Sequence, residues 1–429
     1  MVSGVPGIAP ASLTGFRCRS CGADAGDGTL TEVLDLGTTP LANRLLATEE
    51  LAEPEPVWPL RLVFCAGCGL CQITETVPPE TLFREYVYFS SFSDTMVAHA
   101  RDLAAELAAQ LDLGAGSLVV EAASNDGYLL QWFHRAGIPV LGVEPARNVA
   151  VLAREKGVDT WERFFGLETA RAIVAERGRA DLFLAANVFA HVADPNDFVA
   201  GIEALLGGEG VAVIEAPYVR EMVERVEFDT IYHEHLCYFS LTAMEAFFRR
   251  HGLRAVDVER IPLHGGSLKV TAARAGARRH PAAAVAALLQ EERELGVDRA
   301  AYFAEFGARV ARLREQLTAL LGRLKADGRS IAAYGAAAKG STLLNCFGIG
   351  AETLDFVVDR STVKQGLHMP GVRLPIHAPE HLLKAAPDYV LLLTWNFADE
   401  ILAQQAEYRR RGGRFIVPVP EPFVVEPAA

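Results

Sequence analysis

The chain has 429 residues, half of them hydrophobic, and a formal net charge of -13 at pH 7. It is too long for one hydrophobic core, so we expect about three domains. The acidic balance, without a sustained basic run, argues against nucleic acid as a partner but allows a local basic pocket for a phosphorylated small molecule. No apolar run is long enough to span a bilayer, and Met1 to Pro10 lacks the features of a secretory signal. We therefore expect a soluble cytoplasmic protein without a membrane partner.

The first motif is a pair of cysteine knuckles. Cys18-Arg-Ser-Cys21 and Cys65-Ala-Gly-Cys68 each place two thiolates on one tight turn, and two such turns complete a tetrahedral zinc site. This spacing favours zinc over disulfides or a redox pair. Four thiolates leave no open position, so the zinc is expected to be structural. Cys71 falls outside the spacing and is predicted to be a small buried residue.

A stretch rich in serine and tyrosine follows, from Glu80 to Ser93. Ser93 is suited to cap a helix that starts at Asp94. The stretch is either a linker that packs aromatic rings on the next domain or part of a site, and the residues alone leave both open.

The middle of the chain alternates between strand and helix patterns, which is typical of a parallel α/β sheet. After a helix over 95–112, we predict strands at 117–122, 140–143, 181–186 and 211–215, with helices over 128–136 and up to residue 156. Ligands of such sheets bind beyond the carboxyl ends of the strands. The residues predicted at this edge are Glu121, Ala123, Ser124, Asn125, Gly127, Glu144, Pro145 and Asn187.

This edge predicts an adenosine-type cofactor. Glu144, at the end of the second strand, can hold two ribose hydroxyls, and Gly127 would let the cofactor approach the backbone. The chain has neither the GxGxxG fingerprint of dinucleotide sites nor a P-loop here. The pattern fits S-adenosylmethionine (SAM) or a degenerate nicotinamide site, and the missing glycines favour SAM.

The stretch from Tyr232 to Ser240 is the richest in titratable groups, with two imidazoles, a carboxylate and two phenols. Histidine carries a proton readily near neutral pH, so the cluster favours acid–base chemistry over a strand whose polar groups merely satisfy one another. Further on, His264-Gly265-Gly266-Ser267 is either a tight hairpin or a loop that closes on a polar ligand.

A second α/β unit ends the chain. Two helices are predicted between 280 and 327, broken near Gly296, followed by strands at 329–334, 354–358, 389–394 and 414–417. Lys339, at the start of a helix after Tyr334-Gly335, suits an anionic phosphate. The other residues expected at this ligand edge are Asp359, Lys364 and Asn396.

These patterns predict an α/β protein with a zinc-binding domain (1–78), a central Rossmann-like SAM domain (79–280) and a carboxyl-terminal Rossmann-like domain (281–429). In this order the knuckles, the turn at 121–127, the cluster at 232–235 and the segment 334–340 resemble the SAM-dependent deoxysugar C-methyltransferases, close to those acting at C3 of TDP-4-keto-6-deoxyhexoses. The resemblance covers about Phe16 to Val424. It implies that the carboxyl-terminal domain helps to hold the nucleotide sugar.

The resemblance also implies site residues. It places the catalytic base at His235 with Glu234 and Tyr232 beside it, a second active-site histidine at His191 and a tyrosine at Tyr86. The glycine turn and the second ligand edge supply the expected substrate contacts, which are His264, Gly265, Ser267, Tyr334, Gly335, Lys339, Asp359, Lys364 and Asn396. One departure is Lys269, where the family more often has arginine, so the bidentate fork is lost.

The expected chemistry is removal of the proton next to the C4 ketone by His235, followed by attack of the enolate carbon on the SAM methyl group. His191, Tyr86 and Tyr232 are the unranked candidates for binding the enolate oxygen. Methylation at C5, or methylation coupled to ketoreduction, would use the same motifs. A different class, an NAD(P)-dependent nucleotide-sugar oxidoreductase or epimerase, would require the missing fingerprint. We expect a TDP-linked 4-keto-6-deoxy sugar as substrate and a monomer or small homo-oligomer.

Overall fold

The computed structural model describes residues 13, 15–83 and 89–427. The strands are β1 (Leu30–Thr39), β2 (Trp58–Cys65), β3 (Cys71–Ile73), β4 (Val119–Ala122), β5 (Val140–Val143), β6 (Thr160–Trp161), β7 (Ala180–Ala186), β8 (Leu206–Pro217), β9 (Cys237–Tyr238), β10 (Leu253–Ile261), β11 (Ser267–Arg274), β12 (Ile331–Tyr334), β13 (Val357–Val358), β14 (Ile376–His377), β15 (Tyr389–Leu392), β16 (Arg414–Val417) and β17 (Phe423–Val425).

The helices are α1 (Pro79–Phe83), α2 (Asp94–Gln110), α3 (Leu130–Arg135), α4 (Arg147–Glu155), α5 (Leu167–Arg177), α6 (Pro195–Leu205), α7 (Val219–Glu224), α8 (Leu241–Arg250), α9 (Ala283–Leu295), α10 (Phe306–Ala326), α11 (Ala338–Phe347), α12 (His381–Ala385), α13 (Ala398–Gln404) and α14 (Ala406–Arg410). No helix in the described part of the chain is both long and apolar enough to span a bilayer.

The first sheet surrounds the cysteine knuckles and is antiparallel, in the order β1-β2-β3-β9. Strand β9 comes from the cluster at 232–240, which the sequence assigns to the next domain. Its Cys237 pairs with Gln72 of β3, and the backbone N–H of Ile73 donates to the carbonyl of Leu236 at 3.0 Å. The knuckle domain and the acid–base cluster therefore share one sheet.

The central sheet has the order β10-β11-β8-β7-β4-β5-β6. Its strands from β8 to β6 are parallel, as the sequence predicts, and β10 and β11 add an antiparallel hairpin at one edge. Strand β7 is buried on both faces, because Leu182 and Leu184 pack in one apolar cluster and Phe183 and Ala185 in another. A strand covered on both faces needs such a continuous apolar run.

The third sheet, β14-β13-β12-β15-β16-β17, is parallel except for its last strand. The predicted helix pair before it is α9 and α10, and α9 ends at Gly296 in the left-handed conformation. Glu292 of α9 is fully buried and accepts hydrogen bonds at 2.8 Å from the backbone N–H groups of Leu241 and Thr242. It thus caps α8 and fixes the last part of the chain to the central sheet.

The predicted fold class is confirmed: a knuckle domain, a central Rossmann-like sheet and a second Rossmann-like unit.

Candidate active site and zinc site

The four knuckle cysteines converge on one point. Their sulfur atoms all lie within 4.8 Å of one another, with Cys18 to Cys68 at 3.5 Å and Cys21 to Cys65 at 3.6 Å. A tetrahedral zinc ion bound at about 2.3 Å requires edges of roughly 3.8 Å, so the residues fit the metal. Cys71 lies outside this group and is fully buried in β3, as predicted.

A cavity of about 620 Å³ lies where the three sheets meet. Its wall includes Asn43 from the knuckle domain, the carboxyl edge of the central sheet and the carboxyl edge of the third sheet. The predicted site residues that line it are Ala123, Asn125, Glu144, Pro145, Asn187, His191, Tyr232, His235, Lys339, Asp359, Lys364 and Asn396. Residues from all three predicted domains therefore face a common space.

Three residues at the central edge adopt a left-handed backbone without being glycine. Ala123 and Asn125 have φ of 50°, and Asn187 has φ of 56°. Such conformations are costly for side chains with a Cβ and cluster at ligand sites. The Oδ1 atom of Asn187 is buried and accepts no hydrogen bond from a described residue, so it is available to a ligand.

Glu144 holds this edge together. Its two carboxylate oxygens accept hydrogen bonds from the backbone N–H groups of Asn125 at 2.9 Å and Ala146 at 2.8 Å. Burial raises the pKa of Glu144 to about 7, and these two hydrogen bonds oppose the rise. A ligand that donates to this carboxylate would favour its ionised form.

Other residues that were predicted to bind the cofactor do not line the cavity. Glu121 and Ser124 are buried, and neither lines the described cavity. Burial and the neighbouring carboxylates raise the pKa of Glu121 well above its usual range. The expected role of Gly127 needs correction: a Cβ there would lie 3.3 Å from the Cα of Ala153 in α4. Glycine serves close packing of the turn on a helix, not the approach of a cofactor.

His235 has a defined tautomer. Its Nδ1 lies 2.9 Å from the carbonyl oxygen of Thr230, which can only accept, so Nδ1 carries the hydrogen. In the neutral ring the lone pair is then on Nε2, 2.8 Å from the hydroxyl of Tyr232. Tyr232 therefore donates to the nitrogen that would act as the base.

His191 stands against His235, with ring centroids 4.6 Å apart at 81°. Burial lowers the pKa of His191 to about 4, opposed by a backbone hydrogen bond at Glu234, so the ring is neutral near pH 7. The Nδ1 atom of His191 is buried and has no hydrogen-bond partner among the described residues, so it is available to a ligand.

Glu234 holds a residue that the sequence did not single out. The Nδ2 of Asn43 donates to both carboxylate oxygens of Glu234, at 2.8 and 2.9 Å. Asn43 lies between the knuckles without any local motif, so only the tertiary structure identifies it. Tyr86, the tyrosine implied by the resemblance, lies outside the described residues.

The third sheet contributes a compact polar edge. The Asp359 carboxylate accepts a hydrogen bond from the backbone N–H of Ala336 at 2.7 Å. The Lys364 ammonium donates to the backbone carbonyl of Ala336 at 2.8 Å. Gly335 is required by close approach, because a Cβ there would collide with the side chain of Thr394. The edge thus presents Lys364 and Asn396 to the cavity on a fixed backbone.

Lys339 occupies a more complex environment than a simple phosphate site. Its Nζ lies 4.7 Å from the ring centroid of Trp395, whose Nε1 donates to Asp229 at 2.6 Å. Burial raises the pKa of Glu227 to about 7 and of Asp229 to about 6, and the charge of Lys339 opposes both shifts. Lys339 therefore faces the cavity and also balances two buried acids.

The glycine turn lies away from the cavity. Neither Gly265 nor Ser267 is among the described lining residues, and the side chain of His264 is outside the described part of the structure. A Cβ on Gly265 would collide with the Glu227 carboxylate, and Ser267 donates to the carbonyl of Leu263. The turn is a packed hairpin, which corrects the expectation of a loop that closes on a ligand.

Two further predicted positions lie elsewhere. Tyr334 is buried in the core of the third sheet, and burial raises its pKa to about 12. Lys269 donates to Glu106 at 3.1 Å and lies 2.8 Å from Glu259, so its charge is used within the protein.

Family models agree with this architecture. Family models match residues 18–83 as a putative zinc binding domain, 96–258 as a methyltransferase domain and 262–420 as a C-methyltransferase C-terminal domain. Among solved structures, magnesium protoporphyrin IX methyltransferase from Synechocystis PCC 6803 is 15% identical with a TM-score of 0.32, covering 42% of this chain and 82% of that chain. A Burkholderia thailandensis N-methyltransferase is 18% identical with a TM-score of 0.31, covering 48% and 95%.

The fold, the zinc-fitting knuckles and the matched domains define a SAM-dependent methyltransferase with a structural zinc site. The chain is 41% identical over 409 residues to the C-methyltransferase NovU of Streptomyces niveus, which covers 95% of this chain and 96% of that protein. It belongs to the C-methyltransferase family. The resemblance drawn from the sequence is thereby confirmed at this level, and SAM replaces the nicotinamide alternative.

Proposed function

We propose that this enzyme methylates C3 of a TDP-linked 4-keto-6-deoxy sugar. The observation that carries the proposal is the His235–Tyr232 pair, set in a cavity between a SAM-type edge and an edge bearing Lys339 and Lys364. The first edge suits the adenosine of the cofactor, and the second suits the phosphates of a nucleotide sugar. The sugar ring would lie between them, against His235.

His235 is the base in this proposal. The proton on the carbon next to the ketone passes to Nε2, where the lone pair lies, and leaves an enolate. Substrate binding must displace the Tyr232 hydroxyl from Nε2 or use its oxygen as a relay; either way the proton ends on His235. When bound, SAM would supply an electrophilic methyl group: the enolate carbon bonds to it as the sulfur–methyl bond breaks, and S-adenosylhomocysteine leaves with the electron pair of that bond.

Tyr232 can couple proton uptake to stabilisation of the enolate. If Tyr232 acts as the relay, Nε2 becomes a donor once it is protonated, so its 2.8 Å hydrogen bond to Tyr232 must reverse. The O–H group of Tyr232 can then donate a hydrogen bond to another acceptor. The enolate oxygen is the acceptor in question, because it gains negative charge at that moment. His191 is another candidate for this role, since its ring lies edge-to-face against that of His235.

The test is His235→Ala, assayed with SAM and a TDP-4-keto-6-deoxy sugar. We expect turnover and solvent deuterium exchange next to the ketone to fall by about a hundredfold or more, as for loss of a general base. His233→Ala is the matched control, because the Nε2 of that neighbouring histidine donates to the carbonyl of Pro59 at 3.0 Å. Wild-type exchange in the His235 variant would remove it from this role.

Product analysis tests the position of methylation. Mass spectrometry and NMR on products from a panel of TDP-4-keto sugars should show a methyl group on C3. A C5 product, or reduction of the ketone in the same reaction, would replace the proposal with one of the two related activities of this architecture.

A further inference from the structure

Asn43 is where the zinc-binding domain reaches the cavity. It follows β1 in a loop whose end is fixed to the carboxyl-terminal unit, because the backbone of Leu46 exchanges hydrogen bonds of 2.9 and 2.8 Å with that of His368, in the loop between β13 and β14. The side chain of Asn43 lines the cavity together with Tyr232 and His235. Its place in the wall is therefore set by two domains.

The Asn43 amide is also fixed in orientation. A carboxylate without a proton can only accept hydrogen bonds, so the atom 2.8 and 2.9 Å from the Glu234 oxygens must be the amide nitrogen. The carbonyl oxygen Oδ1 is thus directed away from Glu234. No hydrogen bond from another described residue to this oxygen is present.

We infer that Asn43 is a substrate-binding residue whose Oδ1 accepts a hydrogen bond from a hydroxyl group on the sugar ring, and that Glu234 acts through it as a positioning residue. The inference rests on the proposed function, since it requires a sugar next to His235. A fixed neutral acceptor favours a sugar that carries the matching hydroxyl, because an analogue without this hydroxyl leaves the acceptor unpaired. Asn43 thus gives the zinc-binding domain a part in substrate selection.

The experiment compares two substrates that differ only in one ring hydroxyl. For the hydroxylated TDP-4-keto sugar, Asn43→Ala should raise KM about three- to tenfold, the range of one hydrogen bond. For the deoxygenated analogue the same substitution should leave KM unchanged. Asn196→Ala is the matched control: its side chain donates to the carbonyl of Arg19 at 2.7 Å, outside the cavity, so any effect should be equal for both substrates.

An equal rise in KM for every analogue in a set that removes each ring hydroxyl in turn would overturn the role of Asn43. Glu234 is tested by a double-mutant cycle: Glu234→Gln should affect selection between the two substrates in the wild type and not in the Asn43→Ala background. Equal effects in both backgrounds would overturn its positioning role. Failure of the wild type to methylate any of these sugars, with S-adenosylhomocysteine still bound, would overturn the proposed function and this inference with it.

Discussion

The zinc site and the cavity are both polar clusters, but they are built in different ways. The zinc site takes its four ligands from two tight turns of one domain. These four sulfur atoms fill all the positions of a tetrahedral zinc ion, so no other domain supplies a ligand. The cavity takes its residues from all three parts of the chain, and the buried Asn187 Oδ1 and His191 Nδ1 have no hydrogen-bond partner among the described residues. A closed site stabilises the fold, whereas an open one performs chemistry.

The largest expected effect tests whether the two regions are independent. Cys65→Ser should abolish zinc binding and lower the free energy of unfolding by about 5 kcal/mol or more, because a structural metal contributes its binding energy to folding. Turnover should fall too, since β3 pairs with β9 and the N–H of Ile73 donates to the carbonyl of Leu236, next to His235. Binding of S-adenosylhomocysteine should persist, because β4 and β5 belong to another sheet.

Cys71→Ser is the control for this variant. Cys71 is buried in the same sheet but is not part of the four-sulfur group, so metal analysis should give about one zinc per chain, as in the wild type. Stoichiometric zinc in Cys65→Ser, or none in the wild type, would contradict the assignment.

The same contrast explains what could be predicted from the sequence. The knuckles were predictable because a CxxC turn fixes its two sulfur atoms locally, whatever the rest of the chain does. Most strands of the central and third sheets were predictable from their apolar periodicity; the two-residue strands β6 and β14 and the antiparallel strands β10 and β17 were not predicted. The joining of β9 to the knuckle sheet was missed, since no periodicity reports pairing between strands so far apart in sequence.

The cavity was predictable where polar residues follow a strand and where titratable groups cluster in the sequence, as at Tyr232 and His235. Glu144, Asn187 and Asp359 were found in the first way, because parallel strands end at a common edge. Asn43 gave no signal, since its role depends on a carboxylate that only the tertiary structure brings to it. Gly265 was assigned to a ligand although the space beside it is filled by Glu227, which the sequence does not reveal.

A second prediction tests whether Lys339, a cation that lines the cavity, binds the nucleotide sugar. Lys339→Met should raise KM for the nucleotide sugar about ten- to a hundredfold, as expected for loss of one hydrogen bond to a charged group. Affinity for S-adenosylhomocysteine should not change. Lys384→Met is the matched control, because that lysine is exposed on α12 of the same unit. Equal KM values for the two variants would show that Lys339 only balances the acids beside it.

The smallest expected effect concerns one proton at the central edge. The pKa of Glu144 is raised to about 7 by burial, so near pH 7 this carboxyl is about half protonated before a ligand binds. Ribose hydroxyls that donate to Glu144 favour the ionised form and lower its pKa. Binding should therefore release up to about half a proton at pH 7, and the affinity for S-adenosylhomocysteine should rise as pH increases through 7.

Calorimetry of S-adenosylhomocysteine binding in two buffers of different ionisation enthalpy measures this proton directly. Glu144→Gln keeps the shape of the side chain but removes the titration, so its binding enthalpy should not depend on the buffer. Release that persists in this variant would assign the proton to another group, and the nearby buried acid with a strongly raised pKa is Glu121. An absence of release in the wild type would mean that the ribose does not donate to Glu144, and the edge would then recognise the cofactor through Asn187 and the left-handed backbone at Ala123 and Asn125.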